Sequence, residues 1–250
     1  MMEIEKMFGF NQDSKIHAGM NHWINIIAML SIPVFIWQFT IFQLIMCAVG
    51  YFLWHNIGVI AGYHKLASHR QYSPPKWFKY FSITCGTMSA QSPAISWASQ
   101  HTAHHAYSDT ENDPHSPVHK GLWNAFLNIH YLTKEIKPIH TRRVIKDDVY
   151  IWQYNNYWLI LFSTVLALAL IDPFSVIYFW LVPCGLARLT ESYIIAINHR
   201  EGGPVNNYFV GVVSGGEGWH RNHHDNANRL VLHPHDWFGK TLQWLFKQKS

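Results

Sequence analysis

The sequence predicts an all-α integral membrane protein: four transmembrane helices in two hairpins, with a cytoplasmic helical cap holding a histidine-rich metal site. Three observations carry this reading. Charged residues make up 14% of the 250-residue chain, against about 25% in an ordinary soluble domain. The uncharged residues are segregated into long runs. The 18 histidines outnumber the 15 Asp and Glu combined and gather beside those runs. Other classes are excluded by composition. An aromatic content of 16% argues against a disordered chain. The three cysteines, Cys47, Cys85 and Cys184, sit far apart in apolar stretches and do not form a disulfide framework. A net charge of +4 without a basic run gives no nucleic-acid surface. The mean hydropathy of −0.05 is an average over segregated parts.

Residues 16–64 contain no Asp, Glu, Lys or Arg. One crossing needs about 20 apolar helical residues, so this run fits two spans. We expect them at 22–38 and 40–62, with a tight turn around Trp37-Gln38-Phe39-Thr40 helped by Pro33. A second uncharged run, 149–171, is closed by Asp172-Pro173, and a third begins at Phe174. They give spans at 152–171 and 174–195. Trp23, Trp37, Tyr150, Trp152, Tyr157 and Trp158 fall near the ends, as interfacial aromatics do. Eighteen of the 19 basic residues lie before the first span, between the second and third, or after the fourth. The positive-inside rule then places both termini and the central segment in the cytoplasm. The first apolar run is too long and too late for a cleaved signal peptide. Segment 77–97 is apolar but broken by Ser, Gly and Pro93, and reads as an interfacial or re-entrant element on the cytoplasmic face. The whole chain, 1–250, reads as one domain, with the cap at 63–151 and 196–250.

Three histidine groups follow the spans: His64 and His69 in an HxxxxH spacing, then His101-x-x-His104-His105, then His220-x-x-His223-His224. On a helix, positions i, i+3 and i+4 share a face. The i+3 and i+4 members point about 100° apart, so neighbours can serve two different metals. His64 and His69 are about 140° apart on an ideal α-helix, so their convergence requires the helix to end between them. Eight closely packed imidazolium ions would repel. Metal ions explain the clustering, since neutral imidazole is a strong ligand. Asp109, Asp113, Glu217 and Asp225 flank the boxes and are candidates to accept the other ring N–H of a ligand.

The order HxxxxH, HxxHH, HxxHH around two membrane hairpins resembles the integral-membrane fatty acid desaturases. The branch is the Δ9 one, stearoyl-CoA-like and cyanobacterial acyl-lipid. The flanks share in the likeness: Asp109-Thr-Glu-Asn-Asp113-Pro-His115-Ser-Pro and Gly216-Glu217-Gly-Trp219-His220. The resemblance covers about residues 20–246. It implies an O2-dependent desaturase that introduces a cis double bond, at Δ9, into a saturated acyl chain at a site of two Fe ions. His64, His69, His101, His105 and His224 would hold one iron, and His104, His199, His220 and His223 the other. The chain departs from the family in having Ile195 where Asn is usual and Arg221-Asn222 inside the third box.

Electrons are expected from a separate ferredoxin or cytochrome b5, because the chain has no His-Pro-Gly-Gly signature and too few cysteines for an iron–sulfur cluster. The remaining expected partners are O2, a long-chain acyl substrate and membrane lipid. The helix face leading back from His64 carries Ile60, Asn56 and Phe52, a candidate lining for an acyl tunnel. His55 is unusual at that depth. Arg188 and Glu191 are spaced to pair with each other. His17, His22, His115, His119, His130, His140, His233 and His235 read as surface or capping residues. Lys76, Lys79, Lys134, Lys137, Arg142 and Arg143 are expected to face lipid phosphates, a carrier headgroup or an acidic redox partner. Two further readings compete with desaturation: a di-iron hydroxylase or ketolase on a lipid or hydrocarbon, and a non-enzymatic metal-binding membrane protein.

Overall fold

The computed structural model describes residues 2–129, 137–200 and 203–248. His130 and Lys134 lie outside the described residues. The described chain is mostly helical, joined by turns and loops, with two antiparallel pairs of two-residue strands. Helix α1 (Met2–Trp37) runs through Pro33 and ends at the turn 38–40. Thr40 then caps α2 (Ile41–Tyr51): its hydroxyl accepts from the Gln43 N–H while the Gln43 side chain accepts from the Thr40 N–H. The turn between the first two helices therefore falls where the sequence places it.

The next stretch differs from expectation. From Phe52 to Ser68 the helix continues without a break, wound as a 17-residue π-helix, π1. Its hydrogen bonds step from i to i+5, so residues five apart align, which an α-helix does not allow. The backbone N–H of His69 donates to His64 O at 3.2 Å, and the two rings lie 5.1 Å apart. The helix ends at Ser68, between the two histidines as expected, and its i→i+5 winding up to that end brings their rings together. Residues 54–67 are buried apart from Ile57.

Segment 77–97 forms a helical hairpin of α3 (Lys76–Met88) and α4 (Ala94–Tyr107). Its turn lies among the long helices. Met88 O accepts from Trp180 Nε1 at 2.9 Å, and Ala90 O accepts from Asn25 Nδ2 at 2.7 Å. Side chains of two other helical segments thus hold this turn. Helix α3 packs on π1 at glycine: a Cβ on Gly58 would lie 2.5 Å from the Gly86 nitrogen. Small residues permit that approach of backbones.

Helix α5 (Asp148–Ile171) starts four residues before the expected span and leads through Asp172 to a short π turn, π2 (Val176–Leu181), and α6 (Val182–Ile197). The segments Ile16–Trp37, Ile41–Ser68 and Asp148–Ile171 are long and apolar enough to cross a membrane. Their outer faces carry exposed Ile27, Leu30, Val34, Leu159, Phe162, Leu166 and Leu170, an apolar surface that water would not tolerate at this extent. The C-terminal part adds α7 (Tyr208–Val213), α8 (His220–Asp225) and α9 (Trp237–Leu245).

A buried amide ties these parts together. Gln153 on α5 accepts from the Ala94 N–H at 3.0 Å. Its amide nitrogen donates to Tyr63 Oη at 2.8 Å and to Thr87 Oγ1 at 2.9 Å. One side chain thus joins π1, α3, α4 and α5, and sets where α4 begins. Gln153→Leu should destabilise the fold by about 2–3 kcal/mol, because it strands buried donors and acceptors. Thermal unfolding in detergent checks this; an unchanged melting temperature would show that the amide does not join the helices.

Candidate metal centre

Four segments bring nine histidines to one place. The C-terminal end of π1 supplies His64 and His69, α4 supplies His101, His104 and His105, the exit of α6 supplies His199, and α8 supplies His220, His223 and His224. Their Nε2 atoms form two groups. In the first, His64–His223 lie at 2.9 Å, His223–His105 at 2.8 Å, His105–His101 at 3.1 Å and His101–His69 at 2.8 Å. In the second, His199–His220 lie at 2.7 Å and His104–His224 at 3.3 Å.

The division of His223 and His224 corrects the one drawn from resemblance. His223 joins the group of His64, and His224 joins that of His104. The reason is helical geometry: residues i and i+4 lie about 40° apart around the axis, and i and i+3 about 60° the other way. Each HxxHH box therefore keeps its outer pair together and turns its middle histidine to the other group. Ring separations agree: His220–His224 4.7 Å against His220–His223 6.1 Å, and His101–His105 4.6 Å against His101–His104 6.3 Å.

Three carboxylates orient the rings. Glu217 Oε1 lies 2.7 Å from His64 Nδ1, Asp113 lies 3.0 Å from His104 Nδ1, and Asp109 lies 3.1 Å from His199 Nδ1. A carboxylate only accepts, so each Nδ1 carries the proton and each Nε2 turns a lone pair into the cluster. Gly215 and Gly216, at φ of 76° and 120°, make the left-handed turn that delivers Glu217 beneath His64. Asp113 is itself held by the N–H groups of Asp109 and His115. Asp225 is placed otherwise. It follows His224 directly on α8, points away from the histidine face and is exposed, with no ring contact among the described residues.

Burial disfavours the charged form of most of these imidazoles. Burial, reinforced by neighbouring histidines, pushes His69, His101, His105, His220 and His223 well below the ordinary histidine range. The same causes bring His224 down to about 2. Burial lowers His104 as well, against the pull of Asp113. Burial alone would raise Asp113 and Glu217, but their histidine partners outweigh it and keep both carboxyls below their usual range.

The donor set fits cations. A ring nitrogen carries either a proton or a lone pair, so His223, His105 and His101, each facing two other Nε2 atoms, cannot satisfy these contacts by hydrogen bonding alone. Two imidazole nitrogens bound at right angles to one cation at about 2.1 Å lie about 3.0 Å apart, which is the spacing within both groups. The buried Nδ1 atoms of His220 and His223 have no hydrogen-bond partner among the described residues.

Several expected residues fall elsewhere. Asn56 donates to Ser214 O at 3.1 Å and so supports the loop that carries Glu217. Ile60 packs with Leu230 and Phe238 in a separate core, and Phe52 stacks near Trp237. None of the three lines the cavities beside the histidines or between the helices. Glu191 meets His55 Nε2 at 3.2 Å, while Arg188 donates to Phe126 O. His17, His115 and His140 are buried rather than on the surface. His115 lies 4.2 Å from the His104 ring and forms a further candidate ligand group with His104 and Asp113; the Asp-Pro-His sequence was its only signal. Lys79 is taken up by an ion pair with Asp147.

Replacing the carboxylate under His64 by Glu217→Gln should weaken metal retention about 10–100-fold, since such outer partners fix ring orientation and basicity. Metal content after dialysis against graded chelator measures it; unchanged retention would deny Glu217 that role.

A sequence profile described as fatty acid desaturase matches residues 37–229. The sn-1 stearoyl-lipid 9-desaturase of Anabaena variabilis is 27% identical, over 91% of this chain and 89% of its own. The enzyme of the same name from a Synechocystis species is 28% identical, over 89% and 72%. Delta-9 acyl-lipid desaturase 1 of Arabidopsis thaliana is 29% identical, over 92% and 77%. With two facing groups of imidazoles and a match across most of its length, the chain belongs to the fatty acid desaturase family, whose members are oxidoreductases acting on fatty acyl chains.

Proposed function

We propose that this desaturase introduces a cis double bond at Δ9 into a saturated long-chain acyl group carried on a membrane lipid. Two Fe ions would be held by the nine histidines, five around one and four around the other. The observation that carries this is the pair of imidazole groups whose lone pairs converge with cation spacing. The names of the similar enzymes support the position of the double bond and the lipid carrier.

Bound there, a redox-active metal pair supplies the O2-derived oxidant that an unactivated methylene pair requires. The protein's own contribution is positional. Asp109, Asp113 and Glu217 hold three rings in one tautomer. Trp97, Ile194 and Ile195 line a narrow cavity of about 30 Å³ beside His101, His104, His199 and His220, and keep bulk water away from the reacting carbons. A second cavity of about 30 Å³ shares Gln91, Trp97, Asn128 and Arg188 with it and continues toward Asn21 and His22. Stoichiometry requires two electrons from outside, from a separate ferredoxin or cytochrome b5.

The membrane arrangement we infer is four spans in two hairpins, α1 with α2–π1 and α5 with π2–α6, with both termini and the metal centre in the cytoplasm. One-sided Lys and Arg support it, as does the position of the histidines at the ends of π1 and α6.

Expression in a desaturase-deficient host, with double bonds mapped by mass spectrometry, tests the assignment. The expected product is two mass units lighter than the saturated acid and has its double bond at carbon nine, and His104→Ala should abolish it. A product sixteen units heavier would signify a hydroxylase, and full activity in the His104 variant would refute the metal assignment.

A further inference from the structure

The third histidine box is entered through a tryptophan. Trp219 directly precedes His220, and its carbonyl accepts from the His223 N–H at 3.0 Å, in the first turn of α8. The indole is buried against α7, where a Cβ on Gly211 would come within 2.5 Å of the ring. Its Nε1 is buried without a hydrogen-bond partner among the described residues, so the N–H is not what this position uses. Two rings touch the indole. His233 stacks on it with centroids 3.8 Å apart and planes 17° from parallel. Tyr208 meets it edge-on at 5.3 Å. Tyr208 is 57% exposed, and its hydroxyl shares a short hydrogen bond with Nδ1 of exposed His235. The His235 N–H donates to His233 Nδ1 at 3.1 Å, which fixes the loop that presents both histidines.

A line of rings thus runs from the residue beside a metal ligand to the surface, and ends on a tyrosine with a proton acceptor in place. By contrast, Trp97, stacked on His101 at 5.0 Å, leads inward to Tyr63 at 6.1 Å, whose hydroxyl accepts from buried Gln153. The chemistry of the centre gives the outward line a use. Taking O2 to two waters consumes four electrons and four protons. The external donor supplies two of the electrons, and the saturated chain supplies two with its two hydrogens. Without an acyl chain in place, the O2-derived oxidant still lacks two electrons, and the ligand rings are the groups nearest to it. Trp and Tyr side chains give up an electron more readily than His.

We propose that Trp219, Tyr208 and His235 form an escape line that carries oxidising equivalents from the metal centre to the surface when no acyl chain is bound. This inference rests on the desaturase reading. In each passage one electron moves from Tyr208 through the Trp219 ring to the oxidant, and the phenolic proton of Tyr208 passes to His235 Nδ1. The phenoxyl radical left on Tyr208 faces water. There a small thiol returns one electron and releases its proton to solvent, while His235 hands back the phenolic proton. Two passages, with two protons from solvent, take the oxidant to water, and the two thiols leave as one disulfide. Trp219 is enclosed and out of a thiol's reach; Tyr208 is not.

The test uses purified, metal-loaded protein, reduced, mixed with O2 without acyl substrate and frozen. Electron paramagnetic resonance should show an organic radical whose splitting collapses when the tyrosines are ring-deuterated, and Tyr208→Phe should remove it. That variant keeps the ring and its packing, so metal content, melting temperature and the initial rate of desaturation should match the parent's. His235→Gln should slow the appearance of the radical about tenfold, less than the full worth of a positioned base because water also reaches Tyr208. Peptide mapping by mass spectrometry is the second readout. Oxygen adducts on the peptide bearing His220, His223 and His224 should rise several-fold per O2 consumed in Tyr208→Phe, and glutathione should lower them in the parent alone. Trp219→Phe should raise the same adducts, and the Tyr208 variant carries the test even where Trp219→Phe does not fold. An unchanged radical and an unchanged adduct pattern in Tyr208→Phe would overturn the escape line and leave the desaturase reading intact. So would a parent protein that consumes O2 without substrate yet shows no tyrosyl radical and no protection by thiol. If the reduced parent takes up no O2 and forms no unsaturated acid, the desaturase reading fails and the escape line with it.

Discussion

Nine imidazoles packed ring nitrogen against ring nitrogen are the constraint on which the rest of the molecule depends. In the absence of cations such a cluster is unfavourable in two ways. Buried nitrogens lack donors, and protonation to relieve them would bring like charges within about 3 Å of one another. The fold must therefore force the rings together and disfavour their charged form. Burial supplies the second requirement, with His104, His220 and His223 removed from solvent. Helix geometry supplies the first.

Each contributing element solves the geometric problem in its own way. Two α-helices use the HxxHH spacing, which shares each box between two cations. The π-helix uses its i→i+5 repeat to align two residues that an α-helix would separate. A long π-helix is uncommon and costs hydrogen-bond geometry; here it is buried against α3 through Gly58 and Gly86 and tied to α4 and α5 through Tyr63 and Gln153. The carboxylates complete the arrangement. Asp113 is held by two backbone N–H groups and Glu217 by a turn built on two glycines. The rigidity of the metal centre thus reaches back through several shells of the membrane part.

Much of this was legible in the sequence, and the parts that were not have physical causes. The uncharged runs located the long helices because an apolar stretch of about 20 residues without a charge matches the thickness of a bilayer and little else. The nine histidines were legible from spacing together with family likeness. Asp109, Asp113 and Glu217 were legible as neighbours of the boxes, though their partners were not, since His199 and Asp109 are 90 residues apart. The tunnel lining at Phe52, Asn56 and Ile60 was drawn from one face of one helix, which cannot show that Asn56 meets Ser214 O from 158 residues away. The pairing of Glu191 with Arg188 was misread because local spacing cannot reveal His55, which approaches from another helix 136 residues away. Asp225 was selected by adjacency to His224, but adjacent helical residues point in different directions.

The central claim is that the two imidazole groups hold two redox-active metal ions in one chain. Elemental analysis of the purified protein, combined with X-ray absorption at the iron edge, tests it most directly. The account predicts two irons per chain with a shell dominated by nitrogen at about 2.1 Å and a weak oxygen contribution. Stoichiometric zinc, a single metal, or a shell dominated by oxygen or sulfur would contradict it.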